Sequence, residues 1–117
     1  DVRLLDRHIA VLGARSVAEA LARNRVDPGE IDWFLPHLSS MYFAPRVAEA
    51  LARAGCGFPE ERWFVNLTRV GNVGAASIYL ALEELLATRT LAPGTRILLT
   101  VPESSRFSYA NALLTIV

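Results

Sequence analysis

Three positions in this 117-residue chain combine a reactive or hydrogen-bonding side chain with a place where a strand pattern gives way to a turn. His37 follows the apolar run Ile31 to Pro36, Asn72 stands between Gly71 and Gly74, and Ser104-Ser105 follows Arg96 to Val101. A histidine and an asparagine aimed at one point supply two hydrogen-bond donors. That pair suits negative charge developing on a thioester or enolate oxygen, and each such donor is worth roughly 3 kcal/mol of transition-state stabilisation. A helix starting near Asn72 adds its positive dipole end. A dry pocket favours the neutral imidazole, which both donates and accepts. Taken singly, each residue also has an ordinary structural reading: a strand-end histidine that only packs, an asparagine helix cap, and serines that only make a turn.

The remaining reactive residues are placed differently. Cys56, in Ala54-Gly55-Cys56-Gly57, comes after a helix and before a strand, so a parallel sheet puts it at the edge opposite His37 as a structural turn residue. His8 is expected on the surface of the first helix. There is no Gly-x-Ser-x-Gly elbow. No cluster has the spacing of metal ligands, and a single cysteine excludes an internal disulfide.

The elements that must position these residues follow from periodicity. Leu5, Ile9, Leu12, Val17, Ala20 and Leu21 follow a helical stripe that Val26-Asp27-Pro28-Gly29 ends. Ile31 to Pro36 reads as a buried strand. Pro45 to Ala54 reads as a helix with Pro45 in the first turn and Gly55 as its stop. Trp63 to Leu67 reads as a second strand, Gly71 to Thr88 as a helix buried on most sides, Arg96 to Val101 as a third strand and Phe107 to Val117 as a last one. Alternating strands and helices imply a largely parallel sheet, with the final pair antiparallel across its short turn. Sites in such sheets lie at the carboxyl ends of the strands, so His37, Asn72 and Ser104-Ser105 are expected to converge there.

Composition narrows the class. The chain is long enough for one domain with its own core. It is 52% hydrophobic and 21% charged, which fits either surface normally covered by a partner or a tightly packed sheet protein. All twelve basic residues are scattered arginines balanced by twelve acids, so no nucleic-acid or anionic-membrane footprint is present. No apolar run approaches a membrane span, and the charged first residues begin mid-pattern and do not read as a signal peptide, so a cytoplasmic protein is expected. With no initiator methionine, a fragment or a processed product is expected.

Several segments resemble the β-ketoacyl-acyl-carrier-protein synthase III family. Ile31 to His37 is similar to the strand and Pro-His that begin its Pro-His-Gln-Ala-Asn motif. Asn66-Leu67-Thr68-Arg69-Val70-Gly71-Asn72-Val73-Gly74-Ala75-Ala76-Ser77 is similar in length and pattern to its Asn-x-x-x-x-Gly-Asn-Thr-Ser-Ala-Ala-Ser segment. Phe107-Ser108-Tyr109-Ala110-Asn111-Ala112-Leu113-Leu114 resembles its C-terminal Phe-Thr-Trp-Gly-Ala-Ala-Leu-Leu strand. The resemblance covers nearly the whole chain.

It implies an α/β fold: one thiolase-like half, residues 1–117, with a mixed, mostly parallel sheet of five-stranded type covered by helices. It also implies a Cys-His-Asn triad whose cysteine lies in an N-terminal half, with His37 and Asn72 in the other two roles. Implied too are acyl transfer from a coenzyme A or carrier-protein thioester and decarboxylative condensation with a malonyl-carrier-protein thioester. No cofactor is implied. The partners implied are acyl carrier protein, the N-terminal half and, in the full enzyme, a second copy.

The sequence departs from the family after His37, where Leu38-Ser39-Ser40 replaces Gln-Ala-Asn. Arg46 is there the nearest candidate for the basic residue that docks carrier protein. Pro102-Glu103-Ser104-Ser105-Arg106 replaces a glycine-rich oxyanion loop, with Ser105 its candidate donor. These departures point to an unusual acyl substrate, in specialised rather than housekeeping metabolism. Two other readings remain: a non-catalytic, free-standing half that binds a partner or carrier protein, and a related thioester enzyme such as a thiolase or chalcone-type synthase. The lack of a second active-site cysteine argues against a thiolase, and Asn72 argues for the decarboxylating branch.

Overall fold

The computed structural model describes residues 2–38, 44–65, 76–103 and 108–117, and their side chains except those of 2–8, 76, 77, 102, 103 and 108. Helix α1 spans Val2–Arg23, strand β1 Trp33–Pro36, helix α2 Ala44–Arg53, helix α3 Ala76–Thr88, strand β2 Arg96–Glu103 and strand β3 Ser108–Thr115. The helix starts and strand ends fall close to those expected from periodicity. The expected start at Gly71 lies outside the described residues, as does Phe107.

β1 pairs in parallel with β2, Trp33 opposite Ile97 through Pro36 opposite Thr100. β2 pairs antiparallel with β3, Arg96 opposite Thr115 through Glu103 opposite Ser108. The antiparallel closing pair is therefore as expected. Among the described residues the sheet has three strands, in the order β1-β2-β3, rather than five. The strand expected from Trp63 is reduced there to one parallel bridge, Trp63 to Phe34. The Phe64 N–H donates to the Phe34 carbonyl at 3.0 Å, so even-numbered residues of β1 turn their backbone polar groups away from β2. Pro36 thus lacks its N–H on the side where the β1–β2 ladder does not need it.

Alternation along the strands splits the core between two faces. Phe34, Leu98 and the partly buried Leu113 pack under α1 and α2, with Val17, Leu21, Ala50, Leu51 and Cys56. Leu35, Ile97 and Leu99 pack under α3, with Ile78, Ala81 and Leu85. The helices therefore cover both faces of the sheet. Phe34 anchors the first face through rings: Phe58 lies 4.6 Å away and Trp63 4.9 Å away, edge on.

α1 and α2 end in the same way. The Val26 N–H reaches back to the Leu21 carbonyl and the Arg25 N–H to that of Ala22, while the Cys56 and Gly55 N–H groups reach Leu51 and Ala52. In each helix the residue that turns the chain has positive φ, 54° at Arg25 and 81° at Gly55. This is the Schellman stop, which satisfies orphan carbonyls and drives the next residue into the core. Val26 and Cys56 are accordingly buried.

Candidate functional site

The connections on the two faces decide where a site can lie. After β1 the chain crosses one face as α2 and returns at Trp63. After Trp63 and Phe64 it crosses the opposite face as α3 and returns as β2, on the far side of β1. The direction of winding thus reverses between β1 and the Trp63 segment. At such a reversal the connections leave the carboxyl ends of two neighbouring strands in opposite directions, opening a crevice there. His37 is the first residue past β1 on that edge.

The backbone of His37 is held as a further rung of the ladder: its N–H donates to the Thr100 carbonyl at 2.7 Å. Continuing the pleat puts its side chain on the α3 side of the sheet. The ring is half-buried, and burial pushes its pKa below the ordinary imidazole value. His37 is therefore neutral at pH 7. Its Nδ1 is buried and has no hydrogen-bond partner among the described residues. Buried polar atoms are nearly always paired, so this nitrogen marks a position where a partner is required.

Asn72 lies in 66–75, outside the described residues, between Val65 and the start of α3 at Ala76. Ser105 lies in 104–107, likewise outside them, between the paired ends Glu103 and Ser108. The ends of β1 and β2 share one edge because these strands are parallel. Arg46 is in the first turn of α2, half-buried, where the chain has just left that edge.

Cys56 is a core residue, 2% exposed, packed among Leu51 and Phe58 under the α1–α2 face. Its burial raises the thiol pKa, which disfavours the thiolate a nucleophile needs. His8 lies on α1, its side chain outside the described ones. Among the described residues no three His, Cys, Asp or Glu side chains are grouped as a metal would require, and no helix is long and apolar enough to cross a membrane.

Beside His37 lies a polar cluster that periodicity did not reveal. Thr100, buried, donates its hydroxyl to the side-chain Oδ1 of Asn111 at 2.9 Å, and Asn111 Nδ2 donates to Ser16 Oγ on α1 at 2.8 Å. One pleat along, the Tyr109 hydroxyl donates to the Ile9 carbonyl at 2.6 Å. Burial pushes the Tyr109 phenol up to about 12, so it remains a donor across the physiological range. Its ring lies so close to α1 that a Cβ on Gly13 would stand 3.0 Å from it. The only signal in the sequence is an asparagine in the middle of an otherwise apolar strand.

Residues 21–114 match the family 3-oxoacyl-[acyl-carrier-protein (ACP)] synthase III C terminal. A β-ketoacyl-[acyl-carrier-protein] synthase III of Granulibacter bethesdensis is 36% identical over 93 residues, covering 80% of this chain and 27% of that protein. The structure of a synthase III from Thermus thermophilus superposes with a TM-score of 0.81 at 29% identity, over 98% of this chain and 34% of that one. A tetronic acid condensing enzyme superposes over all of this chain and 32% of its own, with a TM-score of 0.76 at 26% identity. The chain thus spans only 27% of the Granulibacter protein's length. The family match over residues 21–114, with the shared fold, places the chain in the 3-oxoacyl-[acyl-carrier-protein] synthase III family, as its C-terminal part.

Proposed function

We propose that this chain supplies the enolate-stabilising half of a decarboxylative condensing enzyme, acting with an N-terminal half that carries the nucleophilic cysteine. The observation that carries the reading is the half-buried His37 at the winding reversal, whose burial favours the neutral ring and whose buried Nδ1 has no partner among the described residues. In this reading the cysteine thiolate of the N-terminal half attacks an acyl thioester, of coenzyme A or of carrier protein, and expels that thiol. His37 and Asn72 then donate hydrogen bonds to the carbonyl oxygen of a malonyl-carrier-protein thioester. The carboxylate leaves as carbon dioxide and its bonding pair becomes an enolate, whose negative oxygen the two donors hold. The enolate carbon attacks the acyl-cysteine carbonyl; a carbon–carbon bond forms and the thiolate departs. A protonated imidazole is not needed at any step, which fits a ring that burial keeps neutral.

Arg46, at the start of α2 on the same edge, is the proposed contact for carrier-protein phosphate or carboxylates. Ser105 is the proposed oxyanion donor to the acyl-enzyme carbonyl, through its backbone N–H. The fold shared with a tetronic acid condensing enzyme supports an acyl substrate outside ordinary fatty-acid synthesis.

The test is the intact mass of the protein expressed from its native reading frame, before and after incubation with an acyl-coenzyme A. A chain about three times this length that gains one acyl group, with condensation abolished in His37→Ala and Asn72→Ala but self-acylation partly kept, is the expected result. A native chain of this length that gains no acyl group would instead favour a free-standing, partner-binding half. Unchanged condensation in both variants would remove His37 and Asn72 from the site.

A further inference from the structure

We infer that Thr100, Asn111 and Ser16 form a positioning thread that fixes the backbone of His37 relative to α1; the inference rests on His37 being the site histidine. Each link is a direct hydrogen bond in the structure. The His37 N–H is held by the Thr100 carbonyl at 2.7 Å. Thr100 Oγ1 is held by Asn111 at 2.9 Å, directly across the β2–β3 pair. Asn111 is held by Ser16 at 2.8 Å, on a helix that packs against the same face of the sheet.

The thread lies at the end of the ladder. β1 ends at Pro36, and on its far side β1 is met only by the Trp63 bridge among the described residues. His37 therefore depends on β2 for its position, and the height of β2 at Thr100 depends on β3 and α1. Away from this edge the same face is closed by Phe34, Leu98 and Leu113, which pack without direction. Hydrogen bonds fix a side chain in register as well as in distance, and apolar packing fixes it less strictly. A polar thread costs an all-or-none satisfaction of its members, since a buried hydroxyl or amide left unpaired is destabilising. Finding all three members paired, one strand from the reactive histidine, is what a positioning role requires.

Thr100→Val keeps the shape and removes the donor, and Thr100→Ser keeps the donor. In the isotope-labelled intact protein, hydrogen exchange at the His37 amide is expected to speed up about tenfold in Thr100→Val and to stay near wild type in Thr100→Ser. Asn111→Leu is expected to behave like Thr100→Val. Leu113→Ala, a core variant off the thread, gives the pattern of general destabilisation. An unchanged His37 amide in Thr100→Val overturns the inference. So does a rise shared equally by Leu35 and Leu98, as in Leu113→Ala. In condensation assays the thread predicts a lower kcat at unchanged KM for Thr100→Val, restored by Thr100→Ser. If the wild-type protein shows no condensation, the proposed function fails, while the exchange pattern still decides the thread.

Discussion

At His37 two features meet: a half-buried ring, whose burial favours the neutral form, and a buried Nδ1 without a hydrogen-bond partner among the described residues. The first has a consequence for stability that is independent of any reaction. Burial lowers the folded-state pKa of His37 below the ordinary value of about 6.5 that the unfolded chain shows. Between those two values the unfolded chain binds more protons, so stability rises with pH through that window. The contribution is complete above the unfolded value and is lost as pH falls towards the folded one. Acidification from about pH 7.5 to about pH 5.5 is therefore expected to lower the urea midpoint more in the wild type than in His37→Asn. His8 and the carboxylates are common to both proteins and cancel in the difference. An equal fall in the two would show that the folded imidazole titrates normally. His37 was legible because Pro-His ends an apolar run, and its role as a ladder rung follows from the parallel pairing. The thread was not legible: Asn111 and Ser16 are 95 residues apart, and neither local propensity nor period records a contact across that separation.

The elements owe their limits to their stops more than to their propensities. Arg25 and Gly55 do the same job at the ends of α1 and α2, with φ of 54° and 81°. A side chain in that region is strained by steric contact with its own backbone, by about 1 kcal/mol or more. Arg25→Gly is therefore expected to stabilise the protein by about 1 kcal/mol, and Gly55→Ala to destabilise it by a similar amount. Gly55 is the cleaner position, because a Cβ there meets nothing within 4 Å and the backbone alone decides. Urea unfolding with an unchanged m value would measure both, and a Gly55→Ala protein as stable as wild type would refute the argument. Gly55 was readable as a helix stop, whereas Arg25 carried no such mark, and the Asp27-Pro28-Gly29 turn stood in for it. The strand at Ile31 was placed two residues early for a related reason. Ile31 is fully buried, as its type suggested, but it closes the short 3-10 turn Pro28–Glu30, and Asp32 turns its carboxylate to the Arg96 N–H at 2.9 Å. Burial was legible; the hydrogen-bonding partner that decides strand from turn lay in another part of the chain.

For the molecule as a whole, the high apolar content has a visible location. The helical period puts Tyr79, Leu80, Glu83, Leu86 and Ala87 on one side of α3, opposite Ile78, Ala81 and Leu85 in the core. All five are exposed, Tyr79 to 67% and Leu86 to 50%, and Glu83 is the only charge among them. A helix of a self-contained domain carries charged and polar residues on that side. Contiguous apolar surface of this kind marks an interface, and the match takes up only 34% of the Thermus thermophilus synthase III chain, leaving the rest of such a protein to cover it. The 117-residue chain on its own is therefore expected to self-associate with rising concentration, and Leu86→Lys or Tyr79→Lys is expected to shift it towards monomer. Either substitution should leave the stability of the monomer within about 0.5 kcal/mol, because each side chain leaves half or more of its surface to water. Sedimentation at several concentrations reads the first effect and urea unfolding the second. In the longer protein of the proposed function the same lysines would be buried against the covering half, so they should cost several kcal/mol there through desolvation of an unpaired charge. A wild-type chain that stays monomeric at high concentration, together with a longer protein indifferent to Leu86→Lys, would show that this face of α3 meets only water.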